Sequence, residues 1–121
     1  MTCLIDMKLF KDDELCYDFK QVESSLIKEE HYRFTIEGIQ NDFEIKDDKC
    51  IFTRENDEFK FVLDTQKEEA TYLLKEIDTT FMIQVEKCEF KRKGNKYILT
   101  YQLETDDHLN KIELTKGEEH E

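Results

Sequence analysis

The chain has 121 residues, the size of one ordinary domain with one core, and 40% of them are charged against a usual figure of about 25%. Its 18 Lys and Arg against 30 Asp and Glu give a formal charge of −12, a field that repels phosphate backbones and anionic lipid headgroups and so argues against nucleic acid and membrane surfaces as partners. Nine Phe and five Tyr supply the core material that a disordered chain lacks.

From the start, Cys3, Ile5, Met7 and Leu9 alternate with polar neighbours until Lys11, Asp12 and Asp13 offer a turn, and Tyr17 and Phe19 resume the beat to about Val22. This is a hairpin signal, because alternation places one set of side chains on one face of a strand. Residues 23–30 break the pattern and read as a helical turn or a wide loop. Tyr32, Phe34 and Ile36 then alternate as far as Gly38, and Phe43 and Ile45 lead to the turn pair Asp47 and Asp48. A strand over 49–55 follows, with Asn56 and Asp57 as the next turn, since both side chains bond nearby backbone and tolerate left-handed conformations. Phe59, Phe61 and Leu63 resume the beat.

Residues 65–77 are ambiguous. Thr65 and Glu68 have capping-box spacing, and Ala70, Leu73, Leu74 and Ile77 follow a helical repeat. The alternative is a loop over 65–69 and a strand over 70–77. Phe81, Ile83 and Val85 begin another strand that bends near Cys88 and reaches Phe90; residues 93–95 form the strongest turn, because Gly94 and Asn95 accept positive φ. The clearest beat of all comes next: Tyr97, Leu99, Tyr101 and Leu103 on one side, Lys96, Thr100 and Gln102 on the other, with only Ile98 off pattern. A polar turn over 105–107 precedes a last strand over 109–115. The domain is expected over 1–116, with 117–121 as a frayed acidic tail.

Eight to ten short strands with hairpin-length connections and almost no helix describe an all-β meander. Its apolar face must be covered, and closure into a single antiparallel up-and-down β-barrel does that while removing the exposed edges; a two-sheet sandwich is the alternative.

The run from Cys50 through Arg54 and Phe59, the later Tyr72 and the close over 93–114 (KGNKYILTYQLETDDHLNKIEL) resemble the YwiB-like bacterial proteins, a family of unknown function with a calycin-type (lipocalin-like) β-barrel. The resemblance implies a closed antiparallel barrel and places Tyr72 on a strand, which favours the strand alternative for 70–77. It maps Arg54 onto a family arginine that follows an apolar strand, Tyr101 onto a late-strand tyrosine and Asn110 onto the asparagine that opens the last strand. The chain lacks the family's glycine shortly after Arg54 and its aromatic–glycine pair after the Tyr72 strand, where Lys75, Glu76, Ile77 and Asp78 stand.

Candidate site residues follow from parity. Arg54 shares the direction of Cys50 and Phe52, so an inward Phe52 brings Arg54 inward, where it must find acceptors or water. It serves there as a structural ion-pair partner or as an anion-binding group. Tyr32, Tyr72, Tyr97 and Tyr101 either line a cavity with oriented hydroxyls or pack as core and rim. A barrel of roughly eight strands is filled by side chains or holds one small ligand.

Other groups point away from chemistry. Cys3, Cys16, Cys50 and Cys88 lack metal-ligand spacing and read as small buried thiols in a reducing cytoplasm, with no secretory signal at the start. His31, His108 and His120 read as solvated, and the paired aspartates as turn residues without a calcium loop. No catalytic set, metal or cofactor is expected, so the chain is not read as an enzyme. The first functional expectation is a lumen that binds a small, partly apolar or anionic molecule through Arg54 and one or more tyrosines. The alternative is a filled barrel that serves as a structural or protein-interaction scaffold through its acidic outer surface, its partner unidentified.

Overall fold

The structure, a computed structural model, describes residues 1–120. Ten strands run in chain order: β1 (Thr2–Lys11), β2 (Glu14–Lys28), β3 (His31–Ile36), β4 (Ile39–Lys46), β5 (Lys49–Glu55), β6 (Phe59–Asp64), β7 (Glu69–Leu74), β8 (Thr79–Lys93), β9 (Lys96–Leu103) and β10 (Asn110–His120). Each pairs antiparallel with its sequence neighbours, and β10 closes on β1, so the chain is a closed up-and-down barrel. The sandwich is thereby excluded.

Short turns make the meander. Asp12 and Asp13 both take positive φ (51° and 66°), as do Glu37 and Gly38 (52° and 78°), the backbone that a two-residue hairpin loop matching strand twist requires. At Asn56 the side-chain oxygen accepts from the Glu58 and Phe59 N–H groups, an Asx turn.

The ambiguous segment is a turn followed by β7. Thr65 Oγ1 does not cap a helix; it accepts from the Cys50 N–H at 2.8 Å, and Asp64 Oδ1 instead takes the N–H groups of Gln66 and Lys67. Ala70 is fully buried opposite Leu63 and Ile83, a position that a strand supplies. Residues 23–28, expected as a helical turn or loop, continue β2. The misleading residue is Ser24, a polar side chain at a core position whose Oγ donates to the Ser25 and Arg33 carbonyls at 3.0 and 3.3 Å. The expected tail from Gly117 likewise continues β10 to His120 in register with β1, while Glu121 lies outside the described residues.

Register lines up the core in rows. Tyr32, Phe43, Phe52, Leu63, Ala70 and Ile83 form one row across β3 to β8; Phe34, Asn41, Arg54, Phe61, Tyr72 and Phe81 form the next, one step nearer the β3–β4 turn. Phe43 and Phe52 stack at 4.6 Å between ring centroids, with Phe34 on one side at 6.0 Å and Phe61 on the other at 6.3 Å. With Ile5, Leu63, Leu99 and Leu114, Phe43 and Phe52 fill the half of the lumen nearest the Gly94 turn, and Phe34 and Phe61 flank them one step toward the other end.

That end is also tied shut. β8 pairs with β7 through 79–84 and with β9 through 85–93, and its far end carries Arg92 across the barrel. Arg92 pairs with Glu30 and donates through Nε to the Asp47 carbonyl at 2.8 Å.

Candidate functional site

The opposite end, where the β1–β2, β3–β4, β5–β6, β7–β8 and β9–β10 connections lie, is open. A cavity of about 300 Å³ enters the lumen there and stops on Phe52, with Leu9, Phe19, Ile36 and Ile112 as apolar walls. Among its polar groups, Lys11, Asn41, Arg54, Tyr101 and Asn110 come from five strands, and Glu37 and Lys111 border it. The size is at the low end of the range for small-molecule sites, and an apolar floor with a few convergent polar groups is their usual chemistry.

Arg54 follows the parity argument. Phe52 is buried and points inward, and Arg54, two residues on, lines the cavity half-buried. Among the described residues no carboxylate pairs with its guanidinium and no hydrogen bond holds it, and every fully buried side-chain nitrogen or oxygen does have a partner. The unpartnered nitrogens of Arg54 are therefore the ones that face open space. The structural ion pair weighed from sequence is absent among the described residues.

Tyr101 stands across the cavity, its ring 6.3 Å from Phe61. Burial pushes its phenol up to about 12, the Arg54 charge pulls it back, and Asp106 adds to the rise. The hydroxyl thus stays protonated at neutral pH and is available as a donor. Around the mouth, Asn110 donates to Asp106 Oδ2 at 2.9 Å, and Asp12 holds the β9–β10 loop by accepting from the Leu109 N–H at 2.9 Å and pairing with His108 Nδ1 at 2.7 Å.

The five residues singled out from sequence separate into three places. Arg54 and Tyr101 meet in the cavity. Tyr32 and Tyr97 are buried at the closed end with their hydroxyls 3.4 Å apart; Tyr97 donates to Glu30 at 2.8 Å, and burial pushes its phenol far above the ordinary value. Tyr72 stacks on Phe59 at 5.5 Å and does not line the cavity. Lys11 and Asn41 escaped sequence reasoning, although each had a signal: Lys11 continues the inward parity of Met7 and Leu9, and Asn41 that of Phe43 and Ile45.

Other expectations need correction. Cys3 and Cys50 are buried thiols, but Cys16 is exposed and borders the cavity; burial pushes Cys88 up to about 11. His31 is not solvated: its side chain is 14% exposed, with Nε2 2.8 Å from Asp42. A larger depression of about 790 Å³ lies at the closed end against Asp47, Asp48 and Asp64, lined by charges of both signs with no inward donor set. No group of His, Cys, Asp and Glu among the described residues is placed to hold a metal ion, and no helix is long and apolar enough to cross a membrane.

Comparison with family models, curated proteins and solved structures returned no match. The YwiB-like resemblance therefore rests on the residues quoted for it, and the site is read from its own chemistry.

Proposed function

We propose that this protein binds a small, partly apolar organic anion in the open end of its barrel and performs no chemistry on it. The observation that carries the reading is Arg54: a half-buried guanidinium that has no carboxylate or hydrogen-bond partner among the described residues, set in a largely apolar cavity with the Tyr101 hydroxyl, which likewise has no hydrogen-bond partner among them. A buried cation without an acceptor is costly, and a ligand carboxylate or sulfonate between Arg54 and Tyr101 supplies the missing acceptor. Leu9, Phe19, Ile36 and Ile112 give the apolar part of the ligand its affinity, while the two donors set its orientation. The calycin-type resemblance supports encapsulation as the mode, and the free thiols of the chain fit a reducing cytoplasm.

Titration with hexanoate and phenylacetate beside their neutral amides, followed by protection of exposed Cys16 from alkylation, tests the reading. Carboxylates should protect and amides should not. Equal protection by both removes the anion from the proposal, and protection by neither removes the site.

A further inference from the structure

One seam of the barrel is only half closed. β2 pairs with β1 nearly from end to end, yet it meets β3 only through 25–28 against 31–33. Among the described residues, no strand lies along the other edge of β2 from residue 24 back to 14, and residues 34–36 of β3 have no partner on that side. Ser24 Oγ, donating to the Arg33 carbonyl, is the last link across. The seam widens toward the open end, and the cavity takes Tyr17 and Phe19 from one lip and Ile36 from the other. Tyr17 is 55% exposed although it stands opposite Leu9 on the lumen side, so the β2 lip is uncovered apolar surface. A ligand seated on Arg54 therefore has an open channel beside it, walled by backbone N–H and C=O groups that lack a ladder partner.

Resting on the luminal reading above, we propose that the occupant is the C-terminal tail of another protein. Its terminal carboxylate sits between Arg54 and the Tyr101 hydroxyl, its last side chain, an apolar one, fills the cavity, and the residues before it lie extended in the seam as a short added strand. Main-chain bonds to an open edge combined with capture of a terminal carboxylate are an established way to read a peptide end. Register shifts on either side of 17–19 leave a regular edge on β2 long enough for about three or four residues of added strand. Charge selects the sequence: Glu23 on the outer face of β2, Asp18 beside it with Lys20 Nζ at 4.0 Å, and Glu37 beside the β3 lip favour basic residues upstream of the terminus. The same acidity, −12 per chain, disfavours a second copy of this protein as the occupant.

The test compares four probes on the whole protein by calorimetry: an acetylated hexapeptide of alternating lysine and valine ending in phenylalanine with a free carboxylate, its C-terminal amide, its version N-methylated at the valines, and N-acetylphenylalanine. The amide and the N-methylated peptide should each bind about ten- to a hundredfold more weakly than the free acid, the loss expected for charge-assisted and main-chain hydrogen bonds. Amide exchange at 17–20 and 34–36 should slow with the free acid alone. Arg54→Met should erase the acid–amide difference, and the double change Asp18→Lys and Glu23→Lys should shift preference toward a peptide with glutamate in place of lysine. If N-acetylphenylalanine binds as tightly as the hexapeptide, the tail is refuted and the luminal anion stands; if neither binds, both fall. An unmoved charge preference in the double variant also overturns the seam as the peptide's path.

Discussion

Arg54→Met separates a site from a scaffold more sharply than any other single change. Had Arg54 been half of a buried ion pair, its removal would strand the partner carboxylate and cost about 3–5 kcal/mol. No partner exists among the described residues, so nothing is stranded. Methionine keeps most of the stem that packs beside Phe61, Arg54's cross-strand neighbour, and removes only the charge. The expected change in folding stability is therefore within about 1 kcal/mol, and in the stabilising direction, because a half-buried cation is no longer drawn from water. Binding should move the other way. A charge-assisted hydrogen bond contributes about 1.5–3 kcal/mol, so the affinity for phenylacetate should fall roughly ten- to a hundredfold. Urea unfolding measures the first quantity and Cys16 alkylation under phenylacetate the second. A loss of more than about 3 kcal/mol with carboxylate protection intact would show Arg54 to be structural and refute the reasoning.

Three other outcomes follow from the same geometry. Leu63→Ala removes a fully buried side chain at the centre of the filled half and should cost about 2–5 kcal/mol in urea unfolding; less than about 1 kcal/mol would mean the closed end is not the core. Gly117→Ala places a Cβ 2.6 Å from the Leu4 carbonyl oxygen, a backbone atom that cannot swing aside, so it should destabilise although the residue is exposed; an unchanged midpoint would mean that β10 ends before it. The hydrogen bond from His108 lowers Asp12 below 3.8, and the bond to Asp12 raises His108 above 6.5. A raised histidine contributes in full below its unfolded value and loses that contribution as pH rises through the folded one, while the lowered aspartate contributes above 3.8 and loses it as pH falls through its folded value. The clasp is thus strongest between the two, and the melting temperature should decline from about pH 6 to pH 9 more steeply in the native protein than in His108→Ala; parallel profiles would dismiss the clasp.

The barrel was legible because period-2 alternation survives wherever one face is buried, as in 97–103, and because the Asp12, Gly38, Asn56 and Gly94 turns punctuate it. It failed where tertiary contacts override local signals. Ser24 sits in the core satisfied by carbonyls from a neighbouring strand, and Thr65 spends its hydroxyl on β5, contacts that no window of sequence contains. The site was half legible for a related reason. Parity sends Arg54 and Tyr101 inward, but depth along the barrel depends on the stagger of β2 and β8, and that stagger puts Tyr97 in the sealed end and Tyr101, four residues later, at the open one.

The rows of the core carry the functional argument further. In the row led by Tyr32, the positions on β4 and β5 are Phe43 and Phe52; one step outward on the same strands they are Asn41 and Arg54, flanked by Phe34 and Phe61. Apolar side chains at both positions would extend the aromatic stack and bury more surface, and the alternating strand pattern gives no local reason against them. Asn41 is satisfied by the Ile39 carbonyl at 3.1 Å, so its cost is offset within the fold. Arg54 has no such offset, and its charge lies where the barrel opens and the β2–β3 seam parts. Local rules are broken at a functional site more readily than in a core, because the missing interaction is supplied from outside. The double change Asn41→Leu with Arg54→Leu should accordingly yield a more stable barrel by about 1–3 kcal/mol with no carboxylate protection of Cys16, measured by urea unfolding and alkylation together. A less stable double variant would mean that the two polar residues hold the open end in shape, and would return Arg54 to the fold.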